Sequence, residues 1–494
     1  MKERKKMKEN KMNIRNKLFM ISAAALLLVV MNCAKSGSSE ESSSSSSSTA
    51  DSCAASTDNG TATNPTNLET SLCTGSTLES VANGGTISGL KKGKCVDVAA
   101  SATVTLSGTV KFCPGSIFRI GAGATIKGDK GATTTSYLVI DRGAAIKAVG
   151  TAANPITFTS SEAVSARASG DWGGIVINGK ATINAGTGEA DGEGDSGKYG
   201  GTVDTDNSGT LQYVRIQFGG KIFSGTNELN GIAFQGVGSG TTVDHIHVHK
   251  GKDDGMEFFG GTVNAKYIVS TANEDDQIDW TNGYRGKLQF VIAAPVGAGT
   301  DTGFEMDNNE TNFTATPLAN PTIYNIAVVK GNDGNLAKRG MRFRRGTRAT
   351  LGNAYIANKS GTAGWTNNQC ITLEDADTSI TLVSPGSSIL IEHCSTTGFT
   401  VSAGTLTNSG GIVNQNAPAT PWLNLGTTLD SQANLAADTT GSVFVKVGAP
   451  SSTPTAVSPP NDGFFDNTAN FVGAVNNGAN WMTTGGTWVA FPAN

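Results

Sequence analysis

Carboxylates recur in this chain at a spacing that would stack them. Gly251-Lys252-Asp253-Asp254-Gly255-Met256-Glu257-Phe258 is answered 22 positions later by Asn273-Glu274-Asp275-Asp276-Gln277-Ile278-Asp279-Trp280. The alignment extends backward to Ile232-Ala233-Phe234 and forward to Phe304-Glu305-Met306 and Met341-Arg342-Phe343. If these triplets lie on neighbouring strands, equivalent side chains sit about 4.8 Å apart. The middle positions then form one column: Ala233, Glu257, Asp279, Glu305, Arg342. A second acidic set precedes it, Asp253/Asp254, Asp275/Asp276 and Asp301, with Lys338 and Arg339 at the later equivalent place. Two like charges ~5 Å apart repel by about 1–3 kcal/mol, so such columns need something to neutralise them.

Several chemistries meet that need. A hard divalent cation, above all Ca²⁺, takes several carboxylate and carbonyl oxygens, which makes Glu257, Asp279, Glu305, Asp254 and Asp276 candidate ligands. Turn chemistry is the competing account, because Asp and Asn accept hydrogen bonds from backbone N–H groups at tight bends. A lyase acting on acidic polysaccharide would add a basic residue to a Ca²⁺-bearing column. Arg342 and Arg339 are the candidates for that base, beside Asp279. A hydrolase would use paired carboxylates; Asp253-Asp254 supplies one fragment of that arrangement, and its companion segments are not evident downstream. His245, His247 and His249 alternate on one strand face, a spacing that suits Zn²⁺. Aligning the repeats instead stacks His245 between Tyr213 and Tyr267 and sets His247 beside Arg215. No G-x-S-x-G elbow is present, and the glycine cluster at 236–240 opens no helix that could cradle phosphate.

The elements that must position these residues are short strands separated by Gly, Asn, Asp and Ser, such as Val104–Leu106, Ile117–Ile120, Ala124–Lys127, Tyr137–Ile140, Ile156–Thr159 and Ile175–Ile177. With 63 glycines and no long helix-period run, the composition fits turns between strands. Period-2 alternation puts the flanking apolar residues of each triplet inside and the middle one outside. A second inward column reads Val214, Ile246, Ile268, Phe290, Ile326. A repeat of 20–30 residues built this way is a solenoid. Its crossovers should be right-handed, so the expected fold is all-β, a right-handed single-stranded parallel β-helix with terminal caps. The coil is expected over 95–440, with an N-terminal cap at 51–94 containing a short helical piece at Ser76–Val81. An aromatic-rich closing cap is expected at 441–494. The insertions at 186–208 and 295–320 are too long for turns and should form loops on one side.

A basic stretch from Lys2 to Lys17, an apolar run from Leu18 to Met31 and then Asn32-Cys33 read as an export signal over 1–32. Cys33 is the candidate lipidation site, and the serine tract at 34–50 is a tether with little to bury. Residues 1–32 carry eight Lys/Arg and two Asp/Glu, so removing +6 from −4 leaves the mature chain near −10. That balance speaks against nucleic acid as a partner. The remaining cysteines, Cys53, Cys73, Cys95, Cys113, Cys370 and Cys394, are even in number, which favours disulfides in an exported chain. Spacing suggests consecutive pairing (53–73, 95–113, 370–394) out of the fifteen arrangements that six cysteines allow.

The phrases GDWGGIVING (170–179), GKDDGMEFFGGTVNAKYIV (251–269) and NNGANWMTTGGTW (476–488) resemble a group of exported β-helix lipoproteins of Bacteroidetes and spirochaetes. The resemblance covers roughly residues 100–494 and implies the fold and an outer-membrane, lipid-anchored address, and no catalytic residues. At fold level the architecture is similar to that of pectate lyases and polygalacturonases, which by itself transmits no chemistry. The expected role is binding or display at the cell surface, towards glycan, matrix or host-protein ligands. The alternative is a Ca²⁺-dependent lyase or hydrolase acting on acidic glycans.

Overall fold

A computed structural model describes residue 53, residues 60–415 apart from 226, 298, 331–338, 359–369, 384–388, 393–398, 402 and 408–411, and residues 456–491 apart from 476–480, 483 and 487. The expected export signal, Cys33, the tether and Cys394 lie outside the described residues.

The chain forms a parallel β-helix: among the described residues one sheet of 27 strands winds along the coil, and every pairing within it is parallel. In the central rungs each coil contributes a short strand and a long one. The short strands Ile232–Gln235, Met256–Phe259, Ile278–Thr281, Thr302–Met306 and Arg339–Phe343 stack into a first face. The long strands, among them Gly209–Gln217, Thr242–His249, Asn264–Thr271, Lys287–Ala294 and Thr322–Lys330, bend midway and supply the second and third faces.

The first-face register is the one the repeats imply. Ala233 pairs with Glu257, Glu257 with Asp279, Asp279 with Glu305, and Glu305 with Arg342. Their flanking residues, including Phe234, Met256, Phe258, Ile278, Trp280 and Phe304, are buried in the continuous core. The second inward column differs from expectation at one rung: Ile268 pairs with Val291, not Phe290, and Val291 with Ile326. The bend explains the slip. Tyr213, His245, Tyr267, Phe290, Asn325 and Asn353 each take a left-handed conformation, φ between 52° and 58°. Such a residue turns the strand through the corner, and its side chain leaves the inward row. A left-handed conformation costs an L-residue roughly 1–2 kcal/mol. The rings stacked along this corner offset part of that, at centroid separations of 4.2, 4.3 and 4.8 Å from Tyr213 through His245 and Tyr267 to Phe290. Each such pair contributes about 0.5–1.5 kcal/mol.

Both ends differ from the expected caps. The helix lies at Pro65–Leu72, capped by the Asn64 side chain with proline at its start, whereas Leu78–Val81 is a strand. That strand pairs with Cys95–Val98, so the coil already begins at Leu78. Disulfides join Cys53 to Cys113 and Cys73 to Cys95, in place of the expected Cys53–Cys73 and Cys95–Cys113. They clamp the N-terminal segment onto rungs it lies beside rather than closing single turns. Cys370 is also disulfide-bonded.

The aromatic-rich segment within 441–494 is not an end plug. Its described residues run as a strap back along the third face. Val472, Ala474, Val475, Met482, Trp488 and Phe491 cover Val269, Ile292, Ala327 and Tyr355. Those four occupy one outward column in register, and an apolar outward column requires a cover. Asn353 exchanges hydrogen bonds with the backbone of Val457, Asn325 donates to Ala469 and Phe471, and Gln289 exchanges bonds with Asp466. Side-chain amides on the rungs thus satisfy the backbone of a segment whose described residues have no strand pairing of their own.

Candidate functional site

The first face is the candidate site, and its walls come from the insertions. The 186–208 insertion carries the hairpin Glu189–Asp191/Lys198–Gly200, and a second hairpin pairs Lys221–Ser224 with Asn227–Leu229. Tyr199 and Leu229 from these hairpins pack with Val176, Ala233 and Phe259, so the upper part of the face is dry. The acidic stack begins one rung below Ala233. From the other side the loop after Met306 folds over, with the Asn184 amide donating to Asn308 Oδ1 at 2.8 Å and to the Pro317 carbonyl at 3.0 Å. The middle positions therefore point outward as alternation requires, yet Glu257 is only 8 % exposed.

The bends feeding this face hold the second acidic set in place. Asn273 accepts from Gly251 N–H at 2.7 Å, and its amide donates to Ser270 Oγ and Gln277 Oε1. Asp254 Oδ1 accepts from the Asp276 N–H at 2.9 Å, and Asp276 Oδ1 accepts from the Thr302 N–H at 2.6 Å. Each aspartate thus fastens the rung that follows it, as the turn account expects. Turn chemistry uses one oxygen of each group and leaves the charge standing. Donor atoms of Asp253, Asp254 and Asp275 gather within 4.8 Å of one another, as do those of Asp254, Asp276 and Asp279, and those of Asp275, Asp276 and Asp301. The three groups share members, so they form one continuous cluster.

Neutralisation is uneven along the stack. Glu305 receives Arg342 at 2.7 Å and also Arg344, while Asp307 receives Arg344 at 2.7 Å and Arg345 at 2.8 Å. Arg342 is further gripped by both oxygens of Glu374, at 2.9 and 2.8 Å, and Arg339 lies 3.2 Å from the same carboxylate. Among the described residues no ion pair reaches Glu257, Asp279, Asp254 or Asp276. Burial, reinforced by neighbouring carboxylates, raises Asp254, Asp276 and Asp279 well above the ordinary range. Glu257 is pushed up to about 8, by burial first and then by the charges of Asp307, Asp275 and Glu305, against the pull of its hydrogen bond from Asn230. Burial pulls Arg342 down, but its bonds to Glu374 and the charge of Glu305 outweigh that and raise it.

The repeats thus identify Glu257, Asp279, Glu305, Asp254 and Asp276 as neighbours, and the structure brings them together. It does not leave Arg342 available as a base, because two carboxylates fix its guanidinium in the protonated form. Sequence reasoning missed Glu193. Asn230 Nδ2 donates to Glu193 Oε2 at 2.8 Å and to Glu257 Oε2 at 2.7 Å, joining the insertion to the stack. Glu193 too is raised by burial and by the charges of Glu257 and Asp253. Its only signal in the sequence is the density of acidic residues in 186–195. Arg344, Asp307 and Glu374 were likewise unmarked. The donor set is entirely oxygen, which fits a hard cation such as Ca²⁺ and poorly suits a soft one.

His245 stacks between Tyr213 and Tyr267 as the alignment implies, and Arg215 pairs with His247. The histidines are on the third face and its corner, not among the first-face carboxylates. They lie beneath the strap, not on an open surface.

The family model of the pectate-lyase-like β-helix domain matches residues 90–413. This chain belongs to that family. The comparison with curated proteins gives no match, and neither does the comparison with solved structures.

Proposed function

We propose that this member of the pectate-lyase-like β-helix family is a displayed binding module that takes Ca²⁺ on its acidic face, not a depolymerising enzyme. One observation carries the choice: Arg342, which continues the acidic stack, is engaged by both Glu305 and Glu374. A proton-abstracting base in that position would have to be neutral, and paired carboxylates favour the charged form. Among the described residues Glu257, Asp279, Asp254 and Asp276 have no ion-pair partner, which suits a site that recruits its positive charge from solution. A bound cation would let this acidic chain approach an anionic glycan that it otherwise repels. Glu257, Asp254, Asp276 and Asp279 would be its ligands, with Glu193 closing the site from the hairpin.

The proposed address is the outer membrane, with a lipid on Cys33 and the serine tract spacing the coil from the bilayer. The basic lead, the apolar run and the cysteine that follows support this reading. Its ligands would be glycans or matrix and host proteins, and nucleic acid would not be among them. The competing reading, a Ca²⁺-dependent lyase or hydrolase on acidic glycans, is favoured by the carboxylate stack itself. The two are separated by incubating the protein with uronate polymers in millimolar Ca²⁺ and following both retention and chain cleavage. Retention without new chain ends is expected. Cleavage that disappears in Arg342→Ala or Arg339→Ala would establish the enzyme instead.

A further inference from the structure

The strap over the third face rests on two histidines with unmet hydrogen-bonding capacity. His247 is fully buried and His249 nearly so. Both ring nitrogens of His247 and Nε2 of His249 lack a hydrogen-bond partner among the described residues, while His249 Nδ1 meets Thr271 Oγ1 at 2.8 Å. Their cover is Phe491, whose ring stands edge-on to both imidazoles at 5.0 and 5.2 Å. Bonds from the coil hold this part of the strap, among them Arg215 Nε donating to the Trp488 carbonyl at 2.6 Å and Gln217 Nε2 donating to the Ala490 carbonyl at 3.2 Å.

The surroundings of these rings are one-sided. From the preceding rung His247 faces Arg215, from its own strand His249, from the following rung Val269, and from the strap Phe491. His249 faces Gln217, Thr271, Phe218 and Phe491, with Lys250 next to it in the chain. Among the described residues every charged group bearing on the pair is therefore cationic. A proton on either ring would be buried with no carboxylate to receive it, next to Arg215 or Lys250.

We infer that His247 and His249 form an acid-released latch: protonation expels the 481–491 part of the strap and uncovers the corner stack of Tyr213, His245 and Tyr267 while the coil stays wound. Trp481 and Trp488 cover that stack in the closed form, with Trp488 centred 5.2 Å from His245 and Trp481 5.3 Å from Tyr267. Burial, then the charges of His249 and Arg215, holds His247 well below its ordinary 6.5, and burial with Lys250 lowers His249 to about 3. The sign follows from those directions. The closed form is favoured in full above pH 6.5 and loses ground as pH falls towards the depressed values. Once pH is below 6.5, each further unit raises the ratio of open to closed about tenfold per histidine, so two histidines give roughly a thousandfold by pH 5.

Hydrogen exchange followed by mass spectrometry between pH 7 and pH 4.5, corrected for intrinsic rates, reads the strap and the coil separately. The strap peptide covering Trp481 to Phe491 should lose protection as pH falls, with Met256–Phe259 still protected. His247→Leu combined with His249→Asn keeps an acceptor for Thr271 and removes both titrating rings, so the acid opening should vanish. His247→Lys should open the strap already at pH 7. Loss of strap and coil protection together would overturn the inference. So would an unchanged acid midpoint in the double variant, which would transfer the effect to the Asp462–Lys287 pair at the far end of the strap. A strap still protected in His247→Lys would overturn it as well.

Discussion

Glu257→Gln should make the protein more stable at pH 8 while leaving it nearly unchanged at pH 5. The side chain is 8 % exposed and accepts from Asn230 at 2.7 Å, a bond that a glutamine oxygen can also accept. Its carboxyl is pushed up to about 8 by burial and then by Asp307, Asp275 and Glu305. A raised acid stabilises the folded state fully below its unfolded value and loses that contribution as pH climbs to the folded value. The window is therefore roughly pH 4.5 to 8. At 1.36 kcal/mol per unit the full shift would be near 5 kcal/mol, and sharing among coupled carboxylates brings the expected difference to about 2–3 kcal/mol. Thermal melting in chelator at pH 5, 6, 7 and 8 should show the wild type falling and the variant falling less, with the curves several degrees apart at pH 8. Asp254, Asp276 and Asp279 titrate in the same direction, so the difference between the curves is the readout. Parallel pH profiles, or a variant less stable at pH 8, would refute the reasoning.

Three further outcomes are expected. Non-reducing peptide mapping should recover Cys53 linked to Cys113 and Cys73 linked to Cys95, and Cys53→Ala with Cys113→Ala should lower stability by about 2–4 kcal/mol for a loop of 60 residues. Arg342→Ala should destabilise by about 1–3 kcal/mol, since it takes one of two arginine partners from each of Glu305 and Glu374 in a partly screened site; denaturant titration measures this, and glycan retention should survive it. Asn325→Ala removes two bonds to the strap and a side chain that tolerates the left-handed corner, costing about 1–3 kcal/mol. Faster hydrogen exchange at 469–471 than at 488–491 would locate that effect.

Local alternation and repeat spacing made the first face legible, because each of its strands is short and free of bends. The triplets from Ile232 to Phe343 fall in the register their apolar flanks imply. Phe290 was misplaced because apolarity alone cannot separate an inward residue from one on a stacked corner. Its equivalents Tyr213, His245 and Tyr267 carry polar atoms, which marked them as outward. The strap was illegible for a different reason. It has no period, and its contacts join residues as far apart as Arg215 and Trp488. The trace it left is the outward apolar column Val269, Ile292, Ala327 and Tyr355, which has no reason to be apolar unless covered. Disulfide partners depend on how the N-terminal segment lies against the rungs, and spacing carries no such information. Glu193 reaches the acidic stack through a hairpin whose docking is set by Tyr199 and Leu229, far from it in pattern though near in space.

Calorimetric titration of Ca²⁺ into the wild-type protein and into an Asp254→Asn, Asp276→Asn variant tests the central claim most directly. Asparagine keeps the Oδ1 acceptor for the N–H groups of Asp276 and Thr302, so the rungs stay fastened while two charges leave the cluster. Saturable binding is expected in the wild type, with a melting temperature that rises by several degrees once Ca²⁺ exceeds the dissociation constant about a hundredfold. Both should be lost in the variant. No heat and no change in melting up to about 10 mM Ca²⁺, beyond the weakest extracellular sites, would contradict the central claim.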